Sequence, residues 1–157
     1  MTVPDVVVIS LRGLSFIALF QATGCAIFLW LFRVQLKNVE IDLSRLIRVT
    51  TYGAIAFTIA HHLFIPARIT GSFIDVFDLS LQVFFLQSST GLAHALRVAG
   101  LVIILCSVRP ESRLGTRLAM LGTFLALGSF VLAGHTTTHM PRLLLSFLLL
   151  VCKIPRY

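Results

Sequence analysis

The sequence predicts an all-α fold: a polytopic transmembrane helix bundle with four full helices, a partial fifth and an interfacial helical segment. Three observations predict it. Composition comes first: the 157 residues are 57% hydrophobic and only 12% charged, with a mean hydropathy of +0.97. Soluble domains carry roughly 25% charged residues. Second, the apolar residues fall in runs near the ~20 residues that cross a hydrocarbon layer of about 30 Å. Third, the charges sit in short connectors between those runs. The formal net charge of +7 therefore does not mark a nucleic-acid partner, because Lys and Arg never gather on one soluble face. In a membrane protein such connectors set orientation instead.

The first helix is expected over residues 6–32. Its run exceeds the roughly 7–15 apolar residues of a signal-peptide core and lacks a small-residue cleavage site, so it reads as a retained helix. Arg12 and Gln21 lie within it and should face protein or water, or snorkel. A polar link follows over 33–45, where Asp42 or Ser44 is placed to cap the next helix. The second helix is expected over 46–65, ending at Pro66, with His61 and His62 in its last turns. Residues 67–90 contain Arg68, Gly71, Asp75 and Asp78, then an apolar stretch too short to span. They read as a reentrant or interfacial segment, in which Asp78 shapes the loop. The third helix covers 90–108 and carries His94 and, one turn later, Arg97. The basic link 109–113 leads to a fourth helix over 114–133, whose glycines, alanines and Ser129 suit close helix contact. Pro141 is placed at the first turn of a fifth helix. Only about ten apolar residues follow, half a bilayer's worth, so the chain is expected to stop inside its fifth crossing.

Arg and Lys crowd the 33–45 and 109–113 links, which the positive-inside bias places in the cytoplasm. The N-terminus, the 67–90 segment and residues 134–142 then face the other side, the periplasm of a bacterium. All five histidines, His61, His62, His94, His135 and His139, fall at that face.

His135 and His139 stand four apart, with Met140 next to the second. On a helix that spacing lets two rings share one metal ion. Imidazole suits copper, zinc, iron and nickel, and a thioether selects Cu(I). His61, His62 or His94 is placed to add a ligand from a neighbouring helix. Haem held by histidines of two helices is equally open to these residues. Arg97, an intramembrane charge, is a site candidate by default. Its structural alternatives are snorkelling, or pairing with Asp75 or Asp78. The HxxxH lacks the internal Glu of zinc proteases. With no nucleophile–base set and no phosphate loop, no enzyme is expected. Cys25, Cys106 and Cys152 form neither a CxxC nor a disulfide framework.

Four stretches carry a resemblance. They are Leu63-Phe64-Ile65-Pro66-Ala67-Arg68-Ile69-Thr70-Gly71; Asp78-Leu79-Ser80-Leu81-Gln82; Ser88-Ser89-Thr90-Gly91 followed by Ala95-Leu96-Arg97-Val98-Ala99-Gly100-Leu101; and Ser129-Phe130-Val131-Leu132-Ala133-Gly134-His135-Thr136-Thr137-Thr138-His139. In order and spacing they resemble the copper resistance D family of inner-membrane proteins, with Ile65 and Leu79 where the family has an acidic residue and a proline. The resemblance implies copper transport or copper resistance at the periplasmic face of a bacterial inner membrane. His135, His139 and Met140 would be joined there by His61, His62 or His94 as metal ligands, and Arg97, Arg68 and Asp78 would line the path or hold its structure. It implies the lipid bilayer and a copper ion as partners, with room for a periplasmic copper-binding protein. A haem-binding electron-transfer protein and a non-transporting fragment are the alternatives. The family's later helices have no counterpart here, so 1–157 is expected to be a C-terminally truncated copper resistance D-like transmembrane domain.

Overall fold

In a computed structural model, residues 3–32, 35–36, 40–107 and 113–133 are described. Among them the fold is entirely helical: α1 (Val3–Leu31), α2 (Glu40–Thr70), a short 3-10 helix (Phe73–Phe77), α3 (Leu79–Leu86), α4 (Ser89–Ser107) and α5 (Arg113–Ala133). Two of these, α1 and α4, are long and apolar enough to cross a membrane. The apolar part of α5, Arg117–Leu132, is shorter. The expected fifth helix lies outside the described residues.

The second helix departs from expectation at both ends. It runs 31 residues, about 46 Å. Asp42 and Ser44, expected as caps, lie inside it; Ser44 is buried and its hydroxyl has no partner among the described residues. Pro66 does not end it either. Proline removes one helical hydrogen bond and crowds the carbonyl four residues back, which here belongs to His62. The loss stays local, and the helix continues for another turn. Gly71 stops it: its φ of 79° is a left-handed conformation that only glycine takes without strain. Its N–H still reaches the Ala67 carbonyl at 2.9 Å.

The long helices close a ring. Helix α1 packs on α2 and α5, and α4 packs on α5 and α2. The core inside it gathers Leu19, Ala22 and Ala26 of α1, Ile47 and Ala54 of α2, Leu101 and Ile104 of α4, and Ala119 and Ala126 of α5. The closest approach is the α4–α5 crossing. A Cβ on Gly100 would sit 2.5 Å from the Gly122 carbonyl oxygen, and one on Gly122 would sit 2.5 Å from the Gly100 oxygen. Small residues let backbones meet this way where no water drives helices together.

The segment expected to lie at the interface does form two short helices rather than a crossing. Asp78 builds the second. Its Oδ1 accepts from the Ser80 N–H at 2.9 Å, the Ser80 hydroxyl at 2.6 Å and the Leu81 N–H at 3.3 Å. The Ser80 hydroxyl, and then the two backbone N–H groups, hold its carboxyl below the usual carboxylate range. Gln82 ties this cap to α2, since its Nε2 donates to the carbonyls of Leu63 and Val76, both at 2.9 Å.

The N-terminus of α1 meets the C-terminus of α2 where Arg68 Nε donates to Asp5 Oδ1 at 3.3 Å. Both side chains keep contact with solvent, 49% and 27% exposed, so the pair contributes about 0–1 kcal/mol. Arg68→Ala is accordingly expected to leave thermal unfolding of the purified protein almost unchanged. A large drop in melting temperature would show that Arg68 holds more than this pair.

Candidate metal centre

Three imidazoles meet below the capped end. The buried stripe of α2 follows helical spacing through Ile47, Thr51, Ala54 and Thr58 to His61, so His61 points inward and is 8% exposed. His62, one position on, is half-buried. From α4, His94 comes in at 7% exposure. Its ring lies edge-on to both, 5.1 Å from His61 and 5.4 Å from His62 between centroids. The contact that carries chemistry is His62 Nδ1 to His94 Nδ1, at 3.2 Å. For two neutral rings one Nδ1 donates and the other accepts, so the two hold different tautomers.

That separation has a second meaning. Two nitrogens 3.2 Å apart, each about 2.0–2.1 Å from a shared metal ion, subtend roughly 105° at the metal. This is close to a tetrahedral angle. The separation is compatible with two ligands of a tetrahedral site, once the hydrogen bond is given up and both rings turn their lone pairs to one point. No group of three or more His, Cys, Asp or Glu side chains among the described residues is already arranged to hold a metal. His61 touches His94 through its ring edge. A full ligand set would need donors from outside these residues or a turn of His61. The expected ligands His135, His139 and Met140 lie outside the described residues, beyond the last residue of α5.

Pro66 touches this pair only through the backbone of α2. The carbonyl that loses its helical N–H donor is that of His62, the residue that contributes one of the two nitrogens. Gln82 binds the next carbonyl, Leu63. Gln82 thus ties the segment after α2 to the turn that presents His62.

One turn along α4 lies Arg97, 2% exposed. It pairs with neither Asp75 nor Asp78, and it does not snorkel outward. Its Nε donates to Ser129 Oγ of α5 at 3.0 Å, and Ser129 Oγ in turn donates to the Ala126 carbonyl at 2.7 Å. The guanidinium lies against two ring faces, 4.5 Å from the Phe130 centroid and 5.3 Å from that of Phe16. Arg12, exposed on α1, reaches the same Phe16 ring at 5.5 Å. Each cation–ring contact is worth about 0.5–2 kcal/mol, and none of them cancels charge.

Spacing within the sequence does not reveal Phe16, Ser129 or Phe130 as Arg97's neighbours. They come from α1 and α5, far along the chain, and nothing local marks which face of α5 meets Arg97. Asp78 and Arg68 sit outside this interior: the first caps α3, and the second pairs with Asp5.

No curated protein and no solved structure matches the chain. A family model, copper resistance protein D-like, N-terminal domain, matches residues 3–140. This match covers all the described helices and both histidines of the Nδ1 pair, and the chain belongs to the copper resistance protein D-like family.

Proposed function

We propose that the chain handles copper at the periplasmic face of a bacterial inner membrane, with His62 and His94 as the fixed half of the copper site. One observation carries this reading: in a copper resistance domain, two imidazole nitrogens from different helices stand 3.2 Å apart, at a tetrahedral ligand spacing. Copper is the cargo. Imidazole suits it, and a thioether would favour the Cu(I) state. His135 follows α5 by two residues in sequence. With His139 and Met140 it supplies the donors that the described residues lack, and a periplasmic copper-binding protein is a fitting partner on that side.

On the same reading all four long helices cross the bilayer. The N-terminus and the 67–90 segment are periplasmic, and the basic 33–45 and 109–113 links are cytoplasmic. Helix α2 is long enough, and the ring of contacts leaves each helix one face for lipid.

The haem alternative would pair His61 or His62 with His135, which lies outside the described residues, and not His62 with His94. Axial histidines must stand on opposite faces of a macrocycle, while the Nδ1 atoms of His62 and His94 touch directly. A visible spectrum of the purified protein is expected to lack a Soret band.

Cells tell transport from inert insertion. Expression is expected to change cellular copper content, measured by atomic emission, and His62→Ala/His94→Ala should abolish that change at equal membrane levels. His135→Ala/His139→Ala should weaken it further than either single change. Copper content that never responds to the wild-type protein would leave a non-transporting fragment as the answer.

A further inference from the structure

Arg97 has no carboxylate partner among the described residues; Ser129 and two phenylalanine rings are its neighbours. The sequence holds six acidic residues: Asp5, Glu40, Asp42, Asp75, Asp78 and Glu111. Asp5 is joined to Arg68. Asp78 caps α3, and Asp75 lies in the 3-10 helix of the outer cap. Glu40 and Asp42 open α2, about 30 Å of helix away from His61 and His62. Glu111 falls in sequence between the C-terminus of α4 and the N-terminus of α5, the ends far from the histidines. Residues 134–157 contain no Asp or Glu at all.

A buried cation is retained when something of opposite charge accompanies it. Cargo sharpens the need. A copper ion at His62 and His94 would stand one helical turn from a guanidinium, cation beside cation. A guanidinium carries five N–H donors. Nε–H goes to Ser129, and the planar Nη fork suits an acceptor of negative charge.

We infer that Arg97 is the anion half of a mixed site, binding a small monovalent anion of the halide class beside the histidine pair. The anion neutralises Arg97 and lets the cuprous ion approach. This deepens the copper reading and rests on it for the metal, while the anion site itself rests on Arg97. The anion has two sources. It is a halide held from solution before the metal arrives, or it enters as copper's own ligand.

Chloride-35 NMR linewidths separate these with the full chain purified in nanodiscs. Chloride is titrated into metal-free and Cu(I)-loaded protein, with gluconate keeping ionic strength constant. Saturable broadening in metal-free protein assigns the anion to solution; saturable broadening only with Cu(I) assigns it to the copper complex. Arg97→Gln is expected to weaken chloride at least tenfold, and Arg12→Gln to leave it within threefold. If Arg97→Gln does not fold, Ser129→Ala, which frees one anchor of the guanidinium, should shift chloride affinity at least threefold. An absence of saturable broadening in both wild-type states, or unchanged affinity in the folded Arg97 or Ser129 variant, overturns the proposal. Copper binding without any chloride effect leaves the copper reading standing alone. Chloride binding without copper binding leaves the anion site alone.

Discussion

Gly100→Ala is expected to destabilise the protein by at least about 2 kcal/mol, against the direction that helix propensity alone would give. Alanine favours a helix interior over glycine by about 1 kcal/mol. At Gly100 the added Cβ would stand 2.5 Å from the Gly122 carbonyl oxygen and 2.6 Å from the Ala126 nitrogen. Both are backbone atoms of α5, so no side chain can turn away and the helices must separate. Overpacking a core by a methylene typically costs about 1–3 kcal/mol, and here the contact sits at the tightest crossing of the ring. Gly122→Ala should act alike, since its Cβ would meet the Gly100 oxygen at the same distance. Gly13 and Gly24 serve as controls, because a Cβ added at either would meet nothing within 4 Å; alanine there should be neutral or slightly stabilising. Thermal unfolding in detergent reads all four. A stabilised Gly100→Ala protein would mean that α4 and α5 do not cross at these glycines.

The second large effect concerns the metal. His94→Ala is expected to lower Cu(I) affinity at least about 100-fold, since even loss of a residue that only supports a ligand typically costs about 10–100-fold. His62→Ala should match it, because the two nitrogens form one half-site. His61→Ala should cost less, as its ring packs against His94 without the 3.2 Å nitrogen contact that His62 makes. Competition with a chromophoric Cu(I) chelator measures all three. A loss in His61→Ala as large as that in His62→Ala would contradict a site in which His62 alone supplies the α2 ligand.

Much of the fold is legible in the sequence alone. Apolar run length tells where the helices lie, because crossing length and composition are properties of each segment by itself. The short helices between α2 and α4 are legible for the same reason, their apolar stretch being too short to span. Helix ends are less so. Pro66 reads as a stop because its local cost is large, yet the lost hydrogen bond at His62 is tolerated and Gly71 ends the helix instead. The early start of α2 hides Ser44, which reads as a cap but lies in the interior.

The site divides similarly. Alternating helix direction carries His61, His62 and His94 to one end, and that follows from counting connectors. Which of the adjacent His61 and His62 brings a ring nitrogen to His94 depends on the rotation of α2 about its axis, which neither hydropathy nor spacing records. Arg97 is legible as an intramembrane charge. Its partners are not, because Ser129 lies 32 positions away and the aspartates nearer in sequence belong to the short helices after α2. The shortage of acidic residues, six in the whole chain, can be counted from the sequence, but it gains meaning only once Arg97 is known to be buried.

The central claim is that His62 and His94 hold copper together. X-ray absorption at the copper K-edge of the Cu(I)-loaded protein tests it most directly. Wild type should show imidazole scattering from at least two nitrogen ligands at about 1.9–2.1 Å, and His62→Ala/His94→Ala should lose that pair at matched copper loading. An unchanged imidazole shell in the double variant would contradict the account.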